Sequence, residues 1–464
     1  MSMLSDWVMG HEKSTLTVKH RATHTYVVGQ SGTGKSRALE SWIMQDVLAG
    51  HGVGVIDPHG ELFHNLLHRL AARPETWERI ILLDPLDPAW TISFNPLASG
   101  THFHPERLAQ YLTDVVIKIW SLNTSSAPRL IWLLTNTFLA LSDLGLSLLD
   151  LPRFLSNRDY REGLLPQLRQ HGARDYFRYE FPNSDGAVNQ WITPVLNKIG
   201  GLIFDPDIRP IFLGERTIDF KEIMDQRQIL LVNLPKGILG EAPSALLAAF
   251  IVAHIQKAAL ARAGRPGRIP FYLYLDEFQN YTTDNIKDIL SESRKYALSL
   301  TLAHQYLDQL PGELRSAVLN TAGTLACFRV GFHDAVQLAK EIFPSPDYIK
   351  PFKTSIKMRH AYSIPLPFIA GKSEPLGWDG LALELANLQL RQFWARKRGP
   401  YRPTKQFSFN MPDPKMTNQL QKNVLALRAE SGRRFGVPKQ NLRSRVKNVR
   451  ETHQPPTDIP DWSE

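Results

Sequence analysis

Short apolar runs rich in β-branched residues, each bounded by turn residues, recur along the chain. Such runs, alternating with helical patterns, are typical of a mostly parallel sheet covered by helices on both faces. The predicted strands are Tyr26–Val28, Val53–Ile56, Ile80–Leu83, Ile229–Leu234, Phe271–Leu275, Leu298–Ala303, Leu325–Val330 and Phe393–Ala395. The pattern therefore predicts an α/β fold.

Between residues 101 and 213 the strand-like runs give way to helical periodicity. Leu108, Leu112, Val115 and Ile119 follow one another at spacings of three or four residues, which places them on one face of a helix. We therefore predict an all-α domain inserted into an α/β core. The predicted divisions are 1–100 for the first part of the core, 101–213 for the inserted domain, 214–411 for the second part of the core and 412–464 for a polar tail.

The positive charge of the chain is concentrated in that tail. The 464 residues carry a formal charge of +9, and the segment from Lys415 to Arg450 holds ten basic residues against one acid, Glu430, which accounts for the whole excess. We predict at most one short helix there, near Gln419–Glu430. The tail could bind the phosphates of a polyanion such as DNA, or it could be solvated or dock on a neighbouring subunit.

Other features of the composition exclude several classes of protein. The single cysteine, Cys327, rules out an intrachain disulfide, and the N-terminus lacks the apolar run of a secretory signal. The most apolar stretches, 130–151 and 246–260, are interrupted by polar residues and predict buried helices. We therefore expect a cytoplasmic protein with no intrinsic membrane segment.

One motif predicts a nucleotide-binding site. Residues 29–36 match G-x-x-x-x-G-K-[ST] in full, directly after a predicted strand and before a helical pattern, which is the context of a phosphate-binding P-loop. Lys35 would reach the β- and γ-phosphates of ATP, and Ser36 would be a ligand of Mg²⁺. The predicted nucleotide-binding residues are Gly29, Gln30, Ser31, Gly32, Thr33, Gly34, Lys35, Ser36 and Arg37.

A second motif supplies two carboxylates. The apolar run Phe271–Leu275 ends in Asp276 and Glu277, the form of a Walker B strand. Asp276 would hold the Mg²⁺ shell, and Glu277 would polarise an attacking water. Since the second carboxylate favours hydrolysis over phosphoryl transfer to another substrate, the motif predicts an ATPase. Asp276 follows Lys35 by 241 residues, far more than three βα units need, which agrees with an inserted domain.

Three further residues have two interpretations each from the sequence alone. Arg294 either reaches the γ-phosphate bound by a neighbouring subunit or forms a surface ion pair. Gln305, at the end of a predicted strand, either orients water or senses the γ-phosphate, or it is a capping or loop amide. Asp57 either supports the Mg²⁺ site or contacts the helix that follows it.

Taken together, these motifs resemble those of the conjugative coupling-protein ATPases of type IV secretion, the TraG/TraD-like proteins in the HerA/FtsK group of DNA motors. The resemblance extends over roughly residues 19–340 and depends on the order of the motifs. The residues that carry it are His24–Ser36, Asp57–Gly60, Phe94–Leu97, Asp276–Gln279, Arg294–Tyr296, Ala303–Gln305, Phe328–Gly331 and Asp334–Ala335.

The resemblance implies a RecA-like P-loop core with an inserted all-α domain, assembly as a hexamer, and ATP-driven translocation of DNA. By position, Arg294 resembles the family's trans-acting arginine finger and Gln305 its sensor glutamine. Partners would be a relaxase or secretion-channel proteins. Membrane-anchored members begin with a pair of membrane helices, whereas only 28 residues precede Gly29 here. We therefore expect a motor without its own anchor, recruited to the inner membrane by partners.

Two alternatives remain open at this point. The chain could be a HerA-like motor that feeds DNA to a nuclease partner in DNA processing or defence. It could also be a scaffold or switch that binds ATP and hydrolyses it very slowly, although the pair of carboxylates argues against this.

Overall fold

A computed structural model describes residues 23–98, 104–122, 125, 127–214, 217–264, 267–281, 285–344, 377–399 and 402–442. The chain divides into two compact units. We call Met1–Ser41 with Thr301–Met411 the P-loop unit, and Trp42–Leu300 with Pro412–Glu464 the carboxylate unit. Two elements, the helix Lys35–Leu48 and the strand Leu298–His304, contain the points of division.

In the P-loop unit the strands have the order β10-β9-β8-β1-β7. Strand β1 lies between β7 and β8 and is parallel to both, whereas β9 is antiparallel to β8 and to β10. The strands β1, β7 and β8 are buried along their length, as their apolar sequences predict. Their bounds are β1 Thr25–Val28, β7 Leu298–His304, β8 Thr324–Cys327, β9 Gln392–Lys397 and β10 Thr404–Phe407.

In the carboxylate unit the parallel strands have the order β6-β2-β5-β3. All four are fully buried. A separate antiparallel pair joins β4 to β11. The bounds are β2 Gly52–Asp57, β3 Ile80–Leu83, β4 Trp90–Ile92, β5 Ile229–Asn233, β6 Phe271–Leu275 and β11 Gly436–Pro438.

Helices connect and cover the strands, and the described residues between 104 and 214 contain helices and no strand. The boundaries of an inserted domain there stay a prediction. The α-helices, α1 to α16 in chain order, span Lys35–Leu48, Glu61–Ala71, Pro105–Ile119, Pro128–Asp143, Leu151–Ser156, Arg158–Leu164, His171–Asp175, Asp185–Ile203, Phe220–Asp225, Lys236–Leu239, Glu241–Leu260, Asn285–Glu292, Gly312–Thr321, Phe332–Ile342, Trp378–Ala386 and Asn418–Phe435.

Helix α11 is the most apolar of the described helices that have 18 residues or more. By length and composition it alone among them could cross a bilayer, but 83% of its apolar window is buried inside the protein. Its His254 donates a hydrogen bond from Nε2 to the carbonyl oxygen of Pro96 at 2.7 Å. Burial lowers the pKa of His254 to about 3, so the imidazole is neutral. These features are those of a core helix.

The predicted α/β class with a mostly parallel sheet is confirmed, and each predicted strand coincides with an observed one. The run Leu325–Val330 is shorter as a strand than predicted, because β8 ends at Cys327. Strands β4, β10 and β11 were not predicted. They are three or four residues long and mostly half-buried or exposed, so their sequences lack the apolar run that marks a buried strand.

The C-terminal helix α16 is longer than the predicted segment near Gln419–Glu430 and packs on the carboxylate unit. Arg428 donates from Nη1 to Asp84 Oδ2 at 2.8 Å and to Asp87 Oδ2 at 2.7 Å. Asp84 also accepts from the side chain of Asn233 at 2.9 Å. The side chain of Arg428 is 17% exposed and those of the two aspartates are 2% and 8% exposed, so this is a largely desolvated ion pair.

Close packing continues along the same helix. Ser431 Oγ accepts a hydrogen bond from the amide of Leu82 at 2.9 Å. A Cβ atom on Gly432 would lie 2.2 Å from Cδ2 of Trp90, so only glycine allows this approach. Beyond the helix, Lys439 Nζ donates to the carbonyl oxygen of Pro85 at 2.7 Å. Four of the ten basic residues of the predicted tail lie outside the described residues and are Arg443, Arg445, Lys447 and Arg450.

Replacing Arg428 tests whether α16 is part of the folded core. Arg428→Ala leaves two buried carboxylates without their cation, and such a loss costs about 3 kcal/mol. Arg433→Ala is the matched control, since Arg433 is 63% exposed and pairs with Glu430 at the surface, where an ion pair contributes about 0–1 kcal/mol. Urea unfolding followed by tryptophan fluorescence measures both. Equal stabilities of the two variants would contradict the structural role of Arg428.

Candidate active site

The P-loop follows β1 and leads directly into α1, which begins at Lys35. Its first two amides attach it to the neighbouring segments of the P-loop unit. The N–H of Gly29 donates to the carbonyl oxygen of His304 at 3.3 Å, and the N–H of Gln30 donates to that of Arg329 at 2.9 Å. The loop therefore begins at the carboxyl ends of β7 and β8, the edge of a parallel sheet where ligands usually bind.

The middle of the loop leaves its amides available. The N–H groups of Gly32, Thr33 and Gly34 donate no hydrogen bond to any residue that the structure describes. Gly34 has a φ of +98°, a backbone conformation that favours glycine. The hydroxyl of Thr33 donates to the carbonyl oxygen of Gln30 at 2.8 Å and closes the loop on itself. Amides converging at the start of a helix form a cradle that fits a phosphate group.

The three residues that follow begin helix α1. Lys35 is 5% exposed, so its ammonium group is held inside the protein beside the loop. Ser36 is half-buried at the same turn. Arg37 donates to Glu40 Oε2 at 2.9 Å, an ion pair within the helix. This arrangement fits the predicted role of Lys35, because a lysine at this position is a point charge for phosphate oxygens.

One residue in contact with the loop was not expected from the sequence. Arg391 precedes β9, and its N–H donates to the carbonyl oxygen of Thr33 at 2.9 Å. A Cβ atom on Gly34 would lie 2.9 Å from Cγ of Arg391. No motif marks Arg391, because it lies 355 positions after Ser36, the last residue of the P-loop motif.

The two predicted carboxylates lie together at the end of β6 in the carboxylate unit. Asp276 and Glu277 are 6% and 5% exposed. The N–H of Glu277 donates to Asp276 Oδ1 at 3.1 Å, and Glu277 has a φ of +45°, which is uncommon for a residue other than glycine. Gln279 Nε2 donates to Glu277 Oε2 at 2.8 Å. A left-handed backbone at a buried acid is the kind of strain that occurs at functional sites.

Tyr281 supports this turn from within the core, and the sequence did not identify it. Its hydroxyl donates to the carbonyl oxygen of Asp276 at 2.7 Å. Burial, followed by the charges of Asp276, Asp57 and Glu277, raises the pKa of Tyr281 well above its usual value. The hydroxyl therefore keeps its proton and acts as a donor at physiological pH.

Asp57 follows β2 and has a structural partner. Its Oδ1 accepts from the N–H of His59, and its Oδ2 accepts from the N–H of Phe63, each at 2.8 Å. The carboxylate therefore holds the start of α2, which is one of its two predicted roles. Negative charge at a helix N-terminus is favourable.

The structure describes the surroundings of Gln305 and the position of Arg294 in the chain. Gln305 follows β7 directly, after the residue that binds Gly29, and its N–H donates to Gln309 Oε1 at 3.0 Å. Arg294 lies in the carboxylate unit, in the short 3₁₀ helix Ser293–Tyr296 that precedes β7. Gln305 therefore lies beside the beginning of the P-loop within the P-loop unit. The roles of both residues stay predictions.

Comparison with known proteins gives a result for the fold only. No family model and no curated protein matches the sequence. Among solved structures, the bacterial conjugative coupling protein TrwB without its first 70 residues, in an unbound form, has a TM-score of 0.59 at 17% identity and is matched over 89% of this chain and 94% of its own. TrwB in complex with ADP and Mg²⁺ has a TM-score of 0.58 at 16% identity, with the same coverage.

A third structure, TrwB in complex with the non-hydrolysable GTP analogue GDPNP, has a TM-score of 0.58 at 17% identity and is matched over 88% of this chain and 94% of its own. At these identities the likeness concerns the fold. The fold that the resemblance to coupling proteins implied is confirmed: this chain has the RecA-type P-loop fold of the conjugative coupling protein TrwB.

Proposed function

We propose that this chain is a Mg²⁺-dependent ATPase. The observation that carries the proposal is the loop of residues 29–36. The amides in the middle of this loop donate to no described residue, and the helix that follows begins with the buried Lys35. Such a cradle is suited to bind an anion such as a phosphate group. The proposal is supported by the structures of TrwB with ADP and Mg²⁺ and with nucleotide analogues.

In this proposal the P-loop holds the nucleotide by its phosphates. The amides of Gly32, Thr33 and Gly34 donate to phosphate oxygens, and Lys35 neutralises the charge on the β- and γ-phosphates. Ser36 and Asp276 would hold Mg²⁺, which when bound neutralises charge that develops on the phosphates. No group of three His, Cys, Asp or Glu side chains able to bind a metal lies among the described residues.

Glu277 is the proposed general base. A buried carboxylate at the Walker B position accepts the proton of the attacking water, and its position in a left-handed turn is fixed by Asp276 and Tyr281. Gln305 orients that water or senses the γ-phosphate. Arg294 acts in trans on the nucleotide of a neighbouring subunit, where a guanidinium stabilises charge on the transferred phosphoryl group.

We further propose that a hexameric ring of this chain translocates DNA in conjugative transfer or a related type IV secretion step. The likeness in fold to the coupling protein TrwB supports this function. A relaxase or secretion-channel proteins would be its partners, and they would recruit the cytoplasmic ring to the inner membrane. DNA would bind to local basic clusters, because the chain outside residues 415–450 has no net formal charge.

The carboxylate Glu277 gives the first test. Glu277→Gln keeps the size of the side chain but cannot accept a proton, so we expect ATP turnover to fall by about 100-fold or more while nucleotide still binds. Lys35→Ala is expected to lose nucleotide binding as well. Glu78→Gln is the control, because Glu78 is 80% exposed in the same unit as Glu277. Full ATP turnover in Glu277→Gln would contradict the role of Glu277 as general base. Turnover is measured with and without DNA, and wild-type turnover that DNA does not change would contradict the proposed function as a DNA translocase.

Arg294 can be tested by mixing defective subunits. Arg294→Ala and Lys35→Ala are each expected to be inactive alone. In co-expressed mixed rings, a P-loop from the first variant can meet the arginine of the second, so activity should return to about a quarter of the wild-type rate if the two chains mix at random. A mixture as inactive as either variant would contradict a role in trans.

Tyr281 provides a test of the turn that carries the carboxylates. Tyr281→Phe removes only the hydroxyl, leaving the buried carbonyl oxygen of Asp276 without that donor, and we expect turnover to fall about tenfold with little change in nucleotide affinity. Tyr179→Phe, at a side chain that is 75% exposed, is the control. Equal turnover in both variants would show that the hydroxyl does not position the carboxylates.

A further inference from the structure

Arg391 combines three unusual properties in the P-loop unit. Its φ of +67° places it in the left-handed region, which costs free energy for any residue with a side chain. It contacts the P-loop through both its main chain and its side chain. Its guanidinium group forms no hydrogen bond or ion pair with any residue that the structure describes. A glycine would adopt the same backbone without strain, so we look for a role of the arginine side chain in its contact with the P-loop.

The main chain of Arg391 fixes the orientation of one peptide in the P-loop. Its N–H donates to the carbonyl oxygen of Thr33 at 2.9 Å. In a trans peptide the carbonyl oxygen and the following N–H point in opposite directions. The N–H of Gly34 therefore points away from Arg391, and it is one of the amides that donate to no described residue. The hydrogen bond to the Thr33 carbonyl thus orients the Gly34 N–H, which can donate a hydrogen bond to a phosphate.

The side chain of Arg391 packs against the backbone of Gly34, the residue that follows the bonded carbonyl group. With a Cβ, Gly34 would meet Cγ of Arg391 at 2.9 Å and its Cα at 3.2 Å, so the arginine stem lies directly against the Gly34 backbone. Gly34 cannot move toward Arg391 without a clash. A loop that is blocked on one face loses fewer conformations when it binds a phosphate.

Arg391 is itself held by the strand pair that follows it. The N–H of Ser408, the residue after β10, donates to the carbonyl oxygen of Arg391 at 2.8 Å. Gln392 begins β9, which pairs with β10 along four residue pairs. The antiparallel pair β9–β10 therefore supports the P-loop through Arg391.

We propose that Arg391 is a positioning residue for phosphate binding, which holds the Thr33–Gly34 peptide so that the Gly34 N–H is presented to the β-phosphate. This inference depends on the proposed function as a nucleotide-binding protein. It concerns a phosphate that ATP and ADP share. The stem and the main-chain N–H act in this role, and the charge of the guanidinium does not.

The test compares two substitutions by titration of the full chain with ADP and with ATP, each with Mg²⁺. Arg391→Gly keeps the main-chain donor and the left-handed backbone but removes the stem, and we expect the affinity for both nucleotides to fall about tenfold. Arg391→Gln keeps the stem through Cγ and removes the charge, and its affinities should stay within about twofold of the wild type. The melting temperature without nucleotide should not fall in Arg391→Gly, since the backbone strain is relieved.

The control is Arg227→Gly, the same substitution at another arginine with a left-handed backbone; Arg227 has a φ of +55° and is exposed in the carboxylate unit. It should bind both nucleotides like the wild type. Unchanged affinities in Arg391→Gly would overturn the inference. So would a loss confined to ATP, or an Arg391→Gln variant as weak as Arg391→Gly, since each points to direct contact by the guanidinium. A wild-type chain that binds neither nucleotide would instead refute the proposed function.

Discussion

Main-chain hydrogen bonds hold the P-loop in place, and the candidate chemistry depends on them. Gly29, Gln30 and Thr33 each bond to a different neighbouring segment, through His304, Arg329 and Arg391. A loop that must present several amides to one phosphate cannot also spend those amides on its own fold, so its restraint has to come from elsewhere. The parallel strands β7 and β8 and the antiparallel β9 provide it. The sheet therefore acts as the frame of the phosphate cradle.

The positive charge of the chain has two structural outcomes. Arg428 and Lys439 bind to the carboxylate unit itself, Arg428 through a largely buried ion pair. The other described basic residues of the same segment are exposed and are Lys415, Lys422, Arg433 and Arg434. The C-terminal segment is thus part structural support and part basic surface. The formal charge of this segment therefore overstates the positive charge that is available to bind a polyanion.

The sequence predicts the elements that carry local signals and misses those that depend on distant contacts. The buried strands and the P-loop are visible because apolar runs and glycine spacing are local. Strand β11 and the docking of α16 depend on Trp90, Asp84 and Asp87, which lie more than 300 residues away in the chain. Arg391 was missed for the same reason, because its contact is with Thr33 near the start of the chain. Tyr281 lies only five residues after Asp276, but a buried hydroxyl has no signature in sequence. The choice between the two roles of Asp57 also needed the fold, which shows its carboxylate holding helix α2.

The central claim is that the amides of the P-loop receive the phosphates of a nucleotide. The most direct measurement is a cryo-electron microscopy structure of the full chain with a non-hydrolysable ATP analogue and Mg²⁺. We expect density for the β-phosphate within hydrogen-bond distance, about 3 Å, of the N–H groups of Gly32, Thr33 and Gly34, with the Arg391 N–H still bonded to the carbonyl oxygen of Thr33. A nucleotide bound elsewhere, or a P-loop without phosphate density at saturating analogue, would contradict it.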